Sequence, residues 1–257
     1  YKECSKIIRK AKKMAYSYEK YYFLLDLIGW EKILTEEEYL QGKFDKDLNK
    51  LVEEESECLE KLRNLAEYQI LYSKINYAFR RGGYARNKEE QKIVNEIADY
   101  HLIKGKNTAL STKAATACYY IKGLCATTER NLEESYVNFK KVVKIMEDNP
   151  MIMEELPKRY VKALNNVTFA YMDYGRFDEC FAMIDKMRSL EKKSGFESMD
   201  VRLNLFTFPN NGELLANILI GDFEKAEKEV VPRILDGLEE YDGKINNEEQ
   251  MLFYFLS

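Results

Sequence analysis

The chain is poor in residues that interrupt regular structure, with only 12 glycines and 4 prolines in 257 positions. So few turn formers leave little room for a fold of many short strands, and the plentiful Lys, Glu, Leu and Ala are those of a helical protein. Histidine is rarer still. His101 stands alone, and no Walker loop, G-x-S-x-G or H-E-x-x-H motif occurs, so the usual sequence signs of phosphate, ester or zinc-dependent hydrolysis are missing. No apolar run reaches the roughly 18 to 20 residues of a membrane span; YYFLLDLIGW is short and carries Asp26. Charge of one sign is also lacking. Forty basic residues against 44 acidic ones give a net charge of -4, too weak a field to imply nucleic acid or an anionic membrane as partner. The five cysteines, odd in number and without a C-x-x-C pair, suit reduced thiols in a cytoplasmic protein and argue against a zinc site.

What the chain does have is a recurring turn. GKFDKDL at Gly42, GGYARNKEEQ at Gly82 and Gly83, RNLEESY at Arg130, GRFDECF at Gly175 and GDFEKAE at Gly221 are similar in pattern. Counted through Gly42, Gly83, Arg130, Gly175 and Gly221, the intervals are 41, 47, 45 and 46. Near-constant self-similarity on this scale is the signature of a helical solenoid. Most of these turns are followed by an amphipathic segment, as with Phe177, Phe181, Ile184 and Met187, and another precedes them, as with Leu164, Val167, Ala170, Tyr171 and Tyr174. Helix, tight turn and antiparallel helix thus make one unit, with glycine suited to the left-handed residue that ends a helix.

The spacing predicts helices near 2–28, 31–54 with an interruption at Gly42, 57–80, 88–103, 109–128 and 132–147, then 157–174, 177–194, 212–220, 222–240 and 246–256. Gly29-Trp30 is a competing turn, and Thr35 to Glu38 reads as a capping box for a new helix. Pro209 and Gly212, in FTFPNNGE, predict that the first helix of the fifth unit is broken or shortened. Residues 1–56 form an N-terminal helical region with room for a divergent first repeat, and 57–245 carry the repeats. The end, 246–257, reads as the start of a further helix whose turn would fall beyond Ser257.

Tyr119, Gly123, Ala126, Ser135 and Phe139, and again Leu164, Val167, Tyr171, Gly175, Cys180 and Ile184, approach the pattern of the tetratricopeptide repeat family, which the chain resembles over residues 119 to 230; Gly221, Ala226 and Val230 match more weakly. The departures are a period of about 45 rather than about 34 residues, and Thr168 where the family has a small glycine. The resemblance implies an all-α fold, a right-handed superhelical solenoid of antiparallel helix pairs whose first helices line a concave groove that binds other chains.

Other features read more plainly. His101 sits at a predicted helix end, as a capping or solvated residue. Glu53, Glu54, Glu55 and Glu57 read as a solvated helix face rather than a cation site, and Cys118 and Cys125 as core residues too far apart for a disulfide. The basic stretch KIIRKAKK, Lys6 to Lys13, has no stacking aromatic or glycine-rich loop to make it a nucleic-acid site. Methionines between Met146 and Met199 suit irregular core gaps better than a binding surface.

The expected function is therefore a non-catalytic scaffold without cofactor or metal that binds a protein or peptide in its groove. The alternatives are a peptide-responsive regulator, like the bacterial quorum-sensing regulators that carry such repeats, and an all-helical enzyme, for which clustered inner ligands are lacking. On the first helix of the fourth unit, Lys162, Asn165, Asn166, Phe169 and Asp173 share a stripe apart from the predicted core; the family resemblance sets Asn166 where an asparagine often faces the groove. A carboxamide has donors and an acceptor, so it can grip an extended backbone without reading side chains. In the preceding unit Ala117, Tyr120, Ile121, Leu124 and Thr128 make a more apolar stripe, with Tyr120 and Leu124 as pockets for partner side chains; Asn210 and Asn211 are the next candidates.

Overall fold

A computed structural model describes residues 2–37, 44–80, 88–241 and 243–245. Every regular element among them is helical and none is a strand. The chain divides into two compact units, Tyr1–Thr128 with Asn149–Ile152, and Glu129–Asp148 with Met153–Ser257.

The first unit holds α1 (Lys2–Ser17), α2 (Tyr21–Glu37), α3 (Phe44–Arg80), α4 (Lys88–Ala98) and α5 (Thr112–Thr128). The expected helix over 2–28 is split, because Glu19 takes a left-handed φ of 50° and turns the chain. The same glutamate also caps a distant helix. Its carboxylate accepts the backbone N–H groups of Thr112 (2.6 Å) and Lys113 (2.7 Å), which open α5 ahead of the first bonds of its internal ladder. Gly29-Trp30 is no turn, since α2 runs through it. Thr35 does not cap a new helix either; its hydroxyl donates to the Glu31 carbonyl one turn back, inside α2. The two helices expected on either side of residue 56 are the single 37-residue α3.

Long as it is, α3 has one clear inner face. Cys58, Leu65, Tyr68, Leu71 and Ile75 are buried, and α3 packs against α2 and α5. The glutamates on it are not all solvated. Lys12 of α1, with only 11% of its side chain exposed, reaches Glu54 at 2.6 Å and Glu31 at 2.5 Å, and Lys32 reaches Glu55 at 2.6 Å. These pairs join three helices, and they take Lys12 out of the basic stretch that begins at Lys6. Cys118 and Cys125 are buried on α5 as expected, and none of the five cysteines forms a disulfide.

The second unit holds α6 (Leu132–Glu147), α8 (Pro157–Asp173), α9 (Phe177–Ser189) and α10 (Met199–Ile220), then a helix in three parts, α11 (Phe223–Lys225), a π-turn (Ala226–Val230) and α12 (Val231–Glu240). The short α7 (Pro150–Glu155) precedes α8. Three of the recurring turns fall here. Arg130, Gly175 and Gly221 all have left-handed φ, at 60°, 67° and 82°, and each is followed two residues on by the start of a helix, at Leu132, Phe177 and Phe223. Asn131 and Asp222 cap two of those helices by accepting the backbone N–H of Glu134 and Lys225. The turns at Gly42 and Gly82–Gly83 and the segment 246–257 lie outside the described residues.

Within this unit α6 packs on α8, α8 on α9, and α10 on both α8 and α9. On α8 the inner face is Leu164, Val167, Ala170 and Tyr171, as expected, whereas Tyr174 is 44% exposed. On α9 the buried residues are Cys180, Ile184 and Met187, with Phe177 and Phe181 only half-buried. The expected break at Pro209 and Gly212 does not occur: α10 is one 22-residue helix with Pro209 inside it. Pro209 forfeits one N–H in the ladder, but the helix around it is enclosed, with Pro209, Asn210, Asn211, Gly212, Glu213 and Leu214 all buried. Gly212 packs closely against its neighbours, with the place of a Cβ 3.4 Å from Ile184 and 3.6 Å from Thr168, an ordinary contact distance. Pro232 has the opposite effect to Pro209: having no N–H for the carbonyl of residue 228, it accompanies a widening of the ladder in which Val231 N–H bonds Ala226 O.

Candidate functional site

The stripe predicted on α8 exists as an arc beside its buried face. Lys162, Asn165, Asn166 and Phe169 are half-buried, and Asp173 is exposed at the C-terminal end. These five residues share one side of one helix, as the spacing required. Tyr120 and Leu124 do not join them as an accessible surface. They are 3% and 2% exposed, and Ala117, Ile121 and Thr128 are buried with them. The correction has a simple cause: α5 is enclosed on nearly all sides, and Tyr120 spends its ring on Tyr72 of α3, with centroids 5.3 Å apart.

Asn165 has a feature that spacing alone does not reveal. Its Oδ1 is shut off from solvent and accepts no hydrogen bond. Four other side-chain atoms among the described residues share that condition, Asn204 Nδ2, Thr207 Oγ1, Asn211 Oδ1 and Asn217 Oδ1, and all four lie on α10. The whole set therefore sits on two helices that pack against each other. Unpaired buried groups of this kind cost about 1–3 kcal/mol each, so five on one helix pair is a concentrated departure from ordinary burial.

On α10 the buried polar residues fall into two rows at helical spacing. Asn204, Thr207 and Asn211 form the row in which every member retains an unpaired atom, whereas only Asn217 Oδ1 does so in the second. Asn210, Glu213 and Asn217 form the other, which is largely satisfied. Asn210 and Asn217 each donate to the carbonyl four residues back at 2.9 Å, and Arg233 Nε donates to Asn210 Oδ1 at 2.9 Å. Glu213, with 8% of its side chain exposed, pairs with both Arg188 of α9 and Arg233 of α12. Burial pushes its carboxyl up, but the two guanidiniums outweigh that and hold it below the ordinary carboxylate range. Beside this clamp lies a cleft of about 480 Å³, whose polar rim includes Glu191, Asp236 and Glu240.

Where the α6 and α8 faces meet, the Tyr136 and Tyr171 rings lie tilted against each other with centroids 5.5 Å apart and hydroxyls 3.4 Å apart. Lys140 donates to Tyr136 Oη at 2.9 Å, and Arg176 lies 4.9 Å above the Tyr171 ring. This cluster fixes the turn at Gly175 to α6, which explains why Tyr171 is core. His101 is exposed and stacks on Tyr100 at 4.5 Å. Among the described residues no three His, Cys, Asp or Glu side chains gather closely enough to hold a metal, and no helix is long and apolar enough to cross a membrane. Asn210 and Asn211 stand out in the sequence as candidates, whereas Asn204, Thr207, Glu213 and Asn217 do not, because the predicted break removes the helix that carries them. Their steps of three and four residues were the available signal.

No protein-family model, curated protein or solved structure matches this chain.

Proposed function

We propose that the chain is a non-catalytic helical-repeat module of tetratricopeptide-like type, a solenoid of antiparallel helix pairs that binds a peptide or an extended segment of another protein along α8 and α10. The observation that carries this reading is the concentration of unpaired buried carboxamide and hydroxyl atoms on those two helices, beside the half-buried arc of Lys162, Asn165, Asn166 and Phe169. The set contains donors and acceptors, Asn204 Nδ2 and Thr207 Oγ1 on one side, Asn165 Oδ1 and Asn211 Oδ1 on the other. That mixture suits a polypeptide backbone, which offers both in alternation, and the backbone reaches these enclosed atoms where the contact between α8 and α10 parts to admit it. Phe169 supplies an apolar contact, and Lys162 a charge for an acidic side chain or a carboxyl terminus. The left-handed turns at Arg130, Gly175 and Gly221, 45 and 46 residues apart, support the repeat reading.

The test is selection of linear peptides from a displayed random library on the intact chain, followed by affinity measurement on variants. Peptides that require Lys162 and Asn166 should bind the Lys162→Ala, Asn166→Ala double variant at least about tenfold more weakly, with little change in melting temperature, since neither residue is fully buried. Asn165→Ala makes the sharper case. It removes an unsatisfied acceptor, so it should leave the free protein as stable or more stable while weakening peptide binding. Selected peptides that bind all three substituted positions unchanged would place the binding surface elsewhere.

A further inference from the structure

The 37-residue helix α3 shows solvent a face as regular as the one it buries. A row from Val52 to Tyr77 advances in strict alternation of four and three residues, and every member is exposed. Val52, Leu59, Ile70 and Tyr77, the large apolar residues exposed on this helix, all fall in that row, at 48%, 51%, 57% and 60% exposure. Single apolar residues scattered over a surface are ordinary, but four on one seam of period 3.5 have the pattern of a helix–helix contact. At 1.5 Å per residue the row is about 38 Å long.

The row is also a mirror of itself about a point midway between Asn64 and Leu65. Reflection exchanges Val52 with Tyr77, Ser56 with Ser73, Leu59 with Ile70, and Arg63 with Ala66. Two identical helices laid antiparallel across a twofold axis bring such mirror partners together, so large apolar residues meet large apolar residues, serines meet serines, and the arginine at the centre meets the smallest side chain in the row. The flanking charges agree with this direction. Glu53 on one edge is brought opposite Lys74, and Arg63, which pairs with Glu67 at 3.2 Å within its own chain, stands among Glu60 and Glu67 at the axis. A parallel pairing would instead set Arg63 on Arg63 at the seam. We infer that the partner of this face is a second copy of the chain, packed antiparallel along α3 with the twofold axis between residues 64 and 65. Only part of the seam is apolar, so the dimer is one that forms and dissociates in the micromolar range rather than an obligate one.

Sedimentation velocity on the full chain from about 5 to about 500 µM should show the mass rising from that of one 30.3 kDa chain toward twice that value. Leu59→Glu and Ile70→Glu should each weaken association by about tenfold or more, with helical content and melting temperature held, because both sites are exposed in the single chain. Direction and register are read by disulfide trapping in a Cys4→Ser background. Leu59→Cys mixed with Ile70→Cys should cross-link to a heterodimer, and Leu59→Cys alone should not. A mass that stays at one chain throughout would overturn the inference and leave the seam to a different occupant. Undiminished dimer in Leu59→Glu, or efficient cross-linking of Leu59→Cys to itself, would overturn it as well.

Discussion

Thr207 gives the most direct test of whether the polar row on α10 is truly unsatisfied. The residue is 1% exposed, and its hydroxyl meets no partner. Valine has nearly the same shape, so Thr207→Val replaces the hydroxyl with a methyl without opening a cavity or crowding the core, and the two residues have similar helix propensities. What remains is the desolvation penalty of an unpaired buried hydroxyl, about 1–3 kcal/mol. The substitution should therefore stabilise the protein by roughly that amount, against the usual expectation for a buried change. Thr168 on α8 is the control. It is equally buried, at 0% exposure, but its hydroxyl donates to the Leu164 carbonyl at 2.9 Å, so Thr168→Val should be neutral or destabilise by up to about 1 kcal/mol. Urea unfolding followed by circular dichroism separates the two. With a slope of about 2 kcal/mol/M, Thr207→Val moves the midpoint upward by about 0.5 M or more, and Thr168→Val does not raise it. If both variants fall together, the Thr207 hydroxyl is satisfied in solution and the case for α10 as a site that awaits polar partners fails with it.

The turns make a reciprocal pair of predictions. Gly175→Val should destabilise by about 1–2 kcal/mol and Gly175→Asn by less, because nothing lies within 4 Å of a Cβ at that site and the whole cost is its left-handed φ of 67°; Arg130→Gly, at φ 60°, should stabilise by up to about 1 kcal/mol. Equal melting temperatures for the valine and asparagine variants would count against this account. Glu213→Gln leaves Arg188 and Arg233 facing each other and should cost about 1–3 kcal/mol at neutral pH, a range reduced because both arginines are partly exposed. Since the folded-state pKa of Glu213 is depressed, its contribution is complete above the unfolded value of 4.5 and is lost as the pH falls through the folded value. The stability curve of the glutamine variant should therefore be shallower than wild type below about pH 4.5, and parallel curves would refute the link. Finally, titration of the native protein with an aromatic disulfide should find one fast thiol, the exposed Cys4, and four slow ones. Cys180, at 0% exposure, is held up to about 11 by burial, and a second fast equivalent would contradict the packing.

Much of the fold was legible in the sequence where local chemistry decides it. A left-handed residue between two amphipathic segments needs glycine or a tolerated substitute, so Gly175 and Gly221 marked their turns, and Arg130 was found by interval although its side chain disfavours the conformation. The misreadings occurred where tertiary surroundings overrule local preference. Pro209 and Gly212 look like a break because no local pattern reports that a helix is enclosed by its neighbours. For the same reason the apolar stripe of Tyr120 and Leu124 suited a partner's pocket and a core equally well, and burial of that face of α5 made it core. Glu54 and Glu55 read as solvated because their lysines are 42 and 23 residues away. The α8 arc was legible because it needs only the period of one helix; the unpaired atoms on α10 were not, since the absence of a hydrogen bond is a property of neighbours.

The hold of Glu19 on the start of α5 bears on the order in which the chain is made. Two hydrogen bonds span 93 and 94 residues, so the Glu19 carboxylate at the bend between α1 and α2 meets these partners only when an element made long afterwards leaves the ribosome. Until then the Glu19 carboxylate has no helix start to cap, and α3 lacks the helix whose Tyr120 meets Tyr72. The first unit therefore completes its packing only late, when α5 joins α3. The second unit has no such clasp among its described hydrogen bonds: α6, α8, α9 and α10 each pack on neighbours close in sequence, which allows it to assemble progressively as its helices appear. A nascent chain halted before Thr112 would already hold the α1–α2 and α2–α3 packing and the ion pairs of Lys12, and would lack the cover that α5 gives α3.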